Sequence, residues 1–252
     1  MTGFAYQLYS SRNFPPLKDT LTMLGGLGYT SVEGYGALYA NPQMVDELKG
    51  SLADSGLTMP TGHFGLQQLE ADPSGVNGIA RALGVTHIYC PYVMPDDRPG
   101  DQAGWVAFGQ RLANAGKPFR DAGFGFGWHN HDFEFRALAD GSYPIEAILE
   151  GAPDLELEAD IAWIIRGGGD PIAWVDRLAD RITAIHVKDI APAGQNAAED
   201  GWADVGKGTV NWKAIFAAVR SQTKAGHFVI EHDNPSDHRR FAERSLAAAK
   251  TY

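Results

Sequence analysis

Eight short runs of β-forming residues, separated by longer stretches of helical pattern, recur from one end of this chain to the other. The strands are read at Phe4–Tyr9, Thr30–Gly34, Leu57–His63, Val85–Pro91, Phe124–His131, Leu155–Asp160, Ile182–Lys188 and Phe228–His232. Between them, Pro16–Leu27, Pro42–Ser55, Ala103–Ala122, Pro171–Ala179, Trp212–Ser221 and Asp237–Lys250 place apolar residues three and four apart, the period of an amphipathic helix. Turn or capping residues open several of these segments, as at Asn41-Pro42, Asp170-Pro171 and Asn211. A glycine stands before four of the strands, at Gly28, Gly56, Gly84 and Gly123, where a helix would end at positive φ and lead into the next strand. Strict β–α alternation implies a parallel sheet, because parallel neighbours need a crossover. Eight units in 252 residues imply an α/β fold of one kind, a closed (β/α)₈ TIM barrel forming a single domain over residues 1–252. No Gly-x-Gly-x-x-Gly follows the first strand, which argues against a dinucleotide-binding sheet.

Charge and cysteine content narrow the partners. The net charge of −10 makes nucleic acid a poor partner, since phosphates need a basic surface. Cys90 is the one cysteine, so no intramolecular disulfide forms, and its apolar surroundings suggest a buried, inert thiol. Met1-Thr2-Gly3 begins no signal-peptide pattern, and no run of about 18 apolar residues suggests a membrane span. A cytoplasmic protein without membrane or nucleic-acid partners is therefore expected. Such barrels can form homo-oligomers, although the sequence shows no interface patch.

The strand ends are polar, with the chemistry of metal ligands. Val32-Glu33, Gly62-His63, Trp128-His129-Asn130-His131, Glu158-Ala159-Asp160, His186-Val187-Lys188 and Ile230-Glu231 all fall where barrel active sites sit. Alternation along a strand puts His129 with His131, Glu156 and Glu158 with Asp160, and His186 with Lys188. If His129, Asp160, His186 and Glu231 point inward, they meet at one rim. Mixed imidazole and carboxylate donors suit one divalent ion, with Mn, Zn, Co or Fe preferred over Mg. Singly, each residue has a plainer reading as a hydrogen-bonded histidine, a loop cap or half of an ion pair. Together, that many buried charges need a metal or a polar substrate. The irregular stretch Pro192–Gly208 would follow the seventh strand on the same face.

The strings also resemble a known family. Gly127-Trp128-His129-Asn130-His131-Asp132-Phe133-Glu134-Phe135 resembles the GYHNHDFEF-type segment of the sugar phosphate isomerase/epimerase family, the xylose isomerase-like barrels. In order, Glu158-Ala159-Asp160-Ile161-Ala162-Trp163, His186-Val187-Lys188-Asp189, Val205 to Trp212 and Val229-Ile230-Glu231-His232-Asp233 resemble its later segments. The resemblance implies one divalent metal held by Glu, Asp, His and Glu from strands five to eight. Asp160, His186 and Glu231 match the last three. At the first position this chain has His129, so the fourth ligand is His129, Glu158 or water.

That departure bears on the reaction the resemblance implies. Relatives that epimerise ketoses use two metal-bound glutamates to move a proton beside a carbonyl, through a metal-stabilised enediolate. Here Glu231 is the one such glutamate, with His129 or His131 as its acid/base partner and Lys188 at the oxyanion. Glu33, His63 and Glu158 would meet substrate hydroxyls, and Trp163 or Trp128 the apolar face of the sugar or polyol. The resemblance therefore implies a metal-dependent sugar isomerase or epimerase. Two alternatives are a metal-dependent lyase or dehydratase acting on a keto sugar, keto inositol or 3-keto glycoside, and a non-catalytic sugar-binding barrel. A DNA-repair branch of the family conflicts with the acidic charge.

Overall fold

All eight expected strands form, and they close on themselves. The computed structural model describes residues 3–252; Met1 and Thr2, on which the signal-peptide reading partly rests, lie outside the described residues. The barrel strands are β1 (Ala5–Gln7), β2 (Ser31–Gly34), β3 (Thr58–His63), β4 (His87–Cys90), β5 (Gly125–His129), β6 (Glu156–Asp160) and β7 (Ile182–Val187), with a final strand after two short ones. The short pair is β8 (Asp189–Ile190) and β9 (Trp202–Ala203), and β10 (His227–Ile230) completes the barrel. Every barrel pairing is parallel, in the order β1-β10-β7-β6-β5-β4-β3-β2, and β1 pairs with both β2 and β10. The fold is a TIM barrel.

Among the described residues ten α-helices surround it: α1 (Leu17–Leu27), α2 (Pro42–Ser55), α3 (Leu66–Ala71), α4 (Pro73–Leu83), α5 (Gln102–Asp121), α6 (Pro144–Gly151), α7 (Ile161–Arg166), α8 (Pro171–Arg177), α9 (Trp212–Gln222) and α10 (His238–Ala249). The caps read from sequence are made. Asn41 accepts from the Met44 N–H, Asp170 from Ile172 and Ala173, and Asn211 from Ala214. Each such cap contributes about 1 kcal/mol. Gly28, Gly56, Gly84 and Gly123 all adopt positive φ before their strands, so the glycine rhythm marks the end of each preceding helix. The helices bury their apolar faces on the outer side of the sheet, through residues such as Leu24, Leu48, Ala80, Leu112 and Phe119. No helix among the described residues is long and apolar enough to cross a membrane.

Two local features set the floor of the mouth. Register shifts fall between Ser31 and Glu33 on β2 and between Leu157 and Glu158 on β6, directly before two inward carboxylates. Such bulges re-aim side chains next to functional sites. On β5, Gly127 leaves room for its neighbour, since a Cβ there would lie 2.7 Å from the Tyr89 ring. The Tyr89 ring of the adjacent β4 thus occupies the space beside Gly127. Cys90 is fully buried, and burial pushes its thiol up to about 12, which keeps it protonated and inert.

Candidate metal and substrate site

The C-terminal ends of the strands open into a cavity of about 690 Å³. Its wall includes Tyr9, Arg12, Tyr35, His63, Tyr92, Arg98, His129, His131, Asp132, Trp163, Asp200, Glu231 and Asp233. Asp200 comes from the loop after β7, so that irregular stretch does reach this face. The loop is organised by Asp189, whose carboxylate accepts from the N–H groups of Ile190, Gly206 and Val210. β8 and β9 pair within it and bring Trp202 edge-on to Trp163, with ring centroids 4.9 Å apart.

Asp160 shows how one residue serves two ends. It closes β6 and caps α7, accepting the Trp163 N–H at Oδ1 over 2.9 Å. Asn130 clamps its backbone from β5's end, donating Nδ2 to the Asp160 carbonyl and accepting its N–H. The second carboxylate oxygen, Oδ2, is buried without a hydrogen-bond partner. Nearby, His186 Nδ1 lies 3.0 Å from Glu231 Oε2 and 3.9 Å from Asp160 Oδ2.

A second layer lies beneath. Glu158 Oε2 is 2.6 Å from His63 Nε2, 3.1 Å from His129 Nδ1 and 3.2 Å from His186 Nε2. Glu33 Oε1 takes a hydrogen bond from Gln7 Nε2 at 2.8 Å and also lies 2.8 Å from His186 Nε2. Glu33 and Glu158 are fully buried and do not line the cavity. The sequence reading put them at substrate hydroxyls; the structure sets them below the floor, because the histidines stand between them and the opening. Trp128 also differs: its ring is fully buried against Phe108, with Nε1 donating to Glu134, so Trp163 is the tryptophan at the mouth.

Lys188 is fully buried as well and does not line the cavity. Its ammonium is 2.5 Å from Asp233 Oδ1, 3.2 Å from Glu231 Oε2 and 3.8 Å from Asp160 Oδ2. It also lies 4.3 Å from the Trp202 ring centroid. The sequence reading gave it the oxyanion; here it is spent on three carboxylates.

Electrostatics divide these groups. Burial alone would raise Glu231, but Lys188 and His186 hold it well below the usual carboxylate range. Burial pushes Asp160 up to about 6 against the pull of Lys188. Burial would lower His63, yet Glu33 and Glu158 carry it up to about 10, and the same kind of opposition raises His186. Burial, with the positive charges of its neighbours, lowers His129, and it takes His131 down to about 3. Both are therefore neutral near pH 7. His131 Nδ1 has no hydrogen-bond partner.

These buried groups could hold a metal ion. One donor atom from each of His129, Asp160, His186 and Glu231 falls within a sphere of mutual distances under 4.8 Å, and the same is true of His63, His129, Glu158 and His186. Imidazole nitrogen with carboxylate oxygen is a donor set for a transition ion, and the unpartnered Asp160 Oδ2 is an acceptor that such an ion would satisfy.

The sequence matches the profile of the xylose isomerase-like TIM barrel family over residues 25–252. The chain belongs to that family. No curated protein matches it significantly. Among solved structures, this xylose isomerase-like barrel resembles a sugar phosphate isomerase/epimerase from Parabacteroides distasonis ATCC 8503, at 20% identity and a TM-score of 0.81, covering 99% of this chain and 94% of the other. It also resembles the probable 3-DHS dehydratase AsbF, involved in petrobactin synthesis, from Bacillus anthracis, at 15% identity, a TM-score of 0.76 and 98% of both chains. A third is the IOLI protein with a bound zinc atom, at 14% identity and a TM-score of 0.75, covering 99% and 95%. At these identities the likeness is one of fold. The family is mostly enzymatic.

The aromatic wall was not legible in advance. Tyr9, read from sequence as the end of the first strand, lies in a 3-10 turn at Leu8–Ser11, and Tyr35 and Tyr92 follow β2 and β4 outside any strand, where no period marks an inward residue. Tyr9 and Tyr92 are among the few large apolar side chains that stay exposed, and that exposure is the signal that finds them.

Proposed function

We propose that this barrel is a metal-dependent enzyme that moves a proton on the carbon next to a sugar carbonyl, as an isomerase or epimerase. The observation that carries the reading is Glu231, which stands both among the buried donor groups and on the cavity wall. His129, Asp160, His186 and Glu231 would hold a divalent ion, with Mn, Zn, Co or Fe favoured by the imidazoles, and the ion would supply a Lewis acid for the carbonyl oxygen.

The chain's own residues supply the rest. Glu231 is kept ionised by Lys188 and His186, so it is in the form that accepts a proton. His131 faces the same cavity, neutral and with an unpartnered Nδ1, and exchanges the second proton. Trp163 offers a flat apolar face to the sugar ring, and His63 meets a hydroxyl from the floor. Four acidic side chains line the cavity, Asp132, Asp200, Glu231 and Asp233, against Arg12 and Arg98. Both arginines are already engaged, Arg12 with the carbonyls of Tyr9 and Asp233 and Arg98 with Val93 and Tyr92. An uncharged sugar or polyol suits that balance better than a phosphorylated one.

A second reading is β-elimination by the same base. The unlike pair Glu231 and His131 favours it, since elimination needs a one-sided base and a separate acid rather than two equivalent glutamates.

The test is solvent exchange. The protein, loaded with Mn, Zn or Co, is incubated in D₂O with ketohexoses, keto-inositols and 3-keto glycosides and followed by NMR. Deuterium at the carbon beside the carbonyl supports proton transfer, and a dehydrated product or released aglycone supports elimination. A metal-loaded protein that exchanges no carbon-bound hydrogen overturns both.

A further inference from the structure

The geometry points to a second position for the ion, deeper in the barrel, formed by His63, His129, Glu158 and His186. This deepens the reading above and rests on it for the existence of a bound ion.

Hydrogen bonding leaves part of the cluster unsatisfied: Glu158 Oε1 and Glu33 Oε2 are buried without a partner. A carboxylate oxygen offers about two lone pairs. Glu158 Oε2 has three imidazole nitrogens around it, all within 3.2 Å. Its partner oxygen, Oε1, is buried and has none. His63 and His129 fill that acceptor, His186 Nε2 is hydrogen-bonded to Glu33 Oε1 at 2.8 Å instead, and the oxygen beside it stays empty. Coordination explains the same atoms well. Donors about 2.1 Å from one ion at tetrahedral angles lie about 3.4 Å apart, and all four donor atoms here fall within 4.8 Å of one another. Glu33 adds a second carboxylate, with Oε1 3.2 Å from His63 Nε2 and Oε2 unpartnered. All five side chains are buried.

The rim set is a different case, because a cation outside the donor set already serves it, whereas the floor carboxylates are met by the imidazoles of the cluster itself. The Lys188 ammonium lies between Glu231, Asp160 and Asp233. No lysine or arginine comes within ion-pair distance of Glu33 or Glu158 among the described residues.

His186 makes the two positions alternatives for one ion. Its Nδ1 faces Glu231 and Asp160, and its Nε2 faces Glu33 and Glu158. A neutral imidazole has one lone pair, on one nitrogen or the other. With the lone pair on Nδ1 the ring serves the rim; with it on Nε2 the ring serves the floor. While Lys188 stays on the rim carboxylates, the floor is the resting position.

Cobalt binding to the full chain tests this. Stoichiometry is read by elemental analysis, and affinity and donor set by visible absorption during Co²⁺ titration. Asp160→Asn/Glu231→Gln is expected to keep one cobalt per chain with affinity within about tenfold of wild type. Glu158→Gln and His63→Gln are each expected to weaken binding by about 100-fold or more and to change the spectrum, the loss of a direct ligand exceeding that of an outer partner. Circular dichroism and thermal melting establish folding of each variant. A folded Asp160→Asn/Glu231→Gln protein that binds no cobalt, beside a Glu158→Gln protein that binds as wild type does, overturns the floor position and leaves the proposed function standing. If the double variant does not fold, Glu158→Gln decides alone: unchanged affinity and spectrum overturn the proposal. A wild-type chain that binds no cobalt overturns both.

Discussion

His186 and Glu33 meet inside the barrel, with Nε2 of the imidazole 2.8 Å from Oε1 of the carboxylate and both side chains wholly buried. With the ion at the rim, a carboxylate on one ring nitrogen orients the ring and directs the opposite lone pair toward Asp160 and Glu231. Glu33→Gln is expected to weaken divalent-ion binding by about 10–100-fold. Competition against a chelating indicator measures this. An unchanged affinity would show that Glu33 does not orient the ring.

Replacement of the proposed base should separate chemistry from folding. Glu231→Gln keeps the shape of the side chain and removes its proton affinity. Solvent deuterium exchange into a substrate ketose should fall by about 10²–10⁴-fold. NMR time courses at matched metal loading give the ratio, and a loss under tenfold would move the base elsewhere.

Lys188 tests how the interior balances charge. Lys188→Met removes the ammonium from three carboxylates in a site with no solvent exposure at the lysine. Breaking such a buried arrangement by deleting one partner costs about 3–5 kcal/mol. Urea unfolding of the metal-free variant at neutral pH should show that loss, and a change below about 1 kcal/mol, the range of surface pairs, would contradict it.

Glu134 should leave a mark on the pH dependence of stability. Burial pushes its carboxyl up to about 8, although Trp128 Nε1 and the His131 N–H both donate to it. Between its ordinary value of 4.5 and about 8, the folded protein holds a proton that the unfolded chain has released. Stability from this group is therefore lost as pH rises through that window. The unfolding free energy of wild type relative to Glu134→Gln should fall across the interval and level off above it. A difference that is flat with pH would mean the carboxyl titrates normally.

Much of this molecule could be read from its residues, for physical reasons that also explain the gaps. Glycines at Gly28, Gly56, Gly84 and Gly123 announce helix ends because few other residues tolerate that backbone, so four of the eight units are marked off by glycine and the rest by their β-like runs. His129, Asp160, His186 and Glu231 were placed together because alternation tells inward from outward on a strand. Alternation does not tell depth. Glu158 and Asp160 share a face, yet one lies under the histidines and the other caps α7. Nor does it report the register shifts before Glu33 and Glu158, which depend on partner strands far away in sequence. Trp128 and Trp163 look alike in sequence and separate only when α5 and α7 pack.

Two polar contacts of the lumen run between strands that are not neighbours. Glu33 of β2 reaches His186 of β7, and His63 of β3 reaches Glu158 of β6. Each of these spokes has one end in the first four strands and the other in the second half of the chain. A half-barrel, from either side, would lose these cross-lumen partners and keep only the contacts within its own strands, such as Glu33 with His63 or Glu158 with His129. Closure of the barrel thus completes the neutralisation of its interior, because part of each carboxylate's counter-charge comes from the opposite half of the chain.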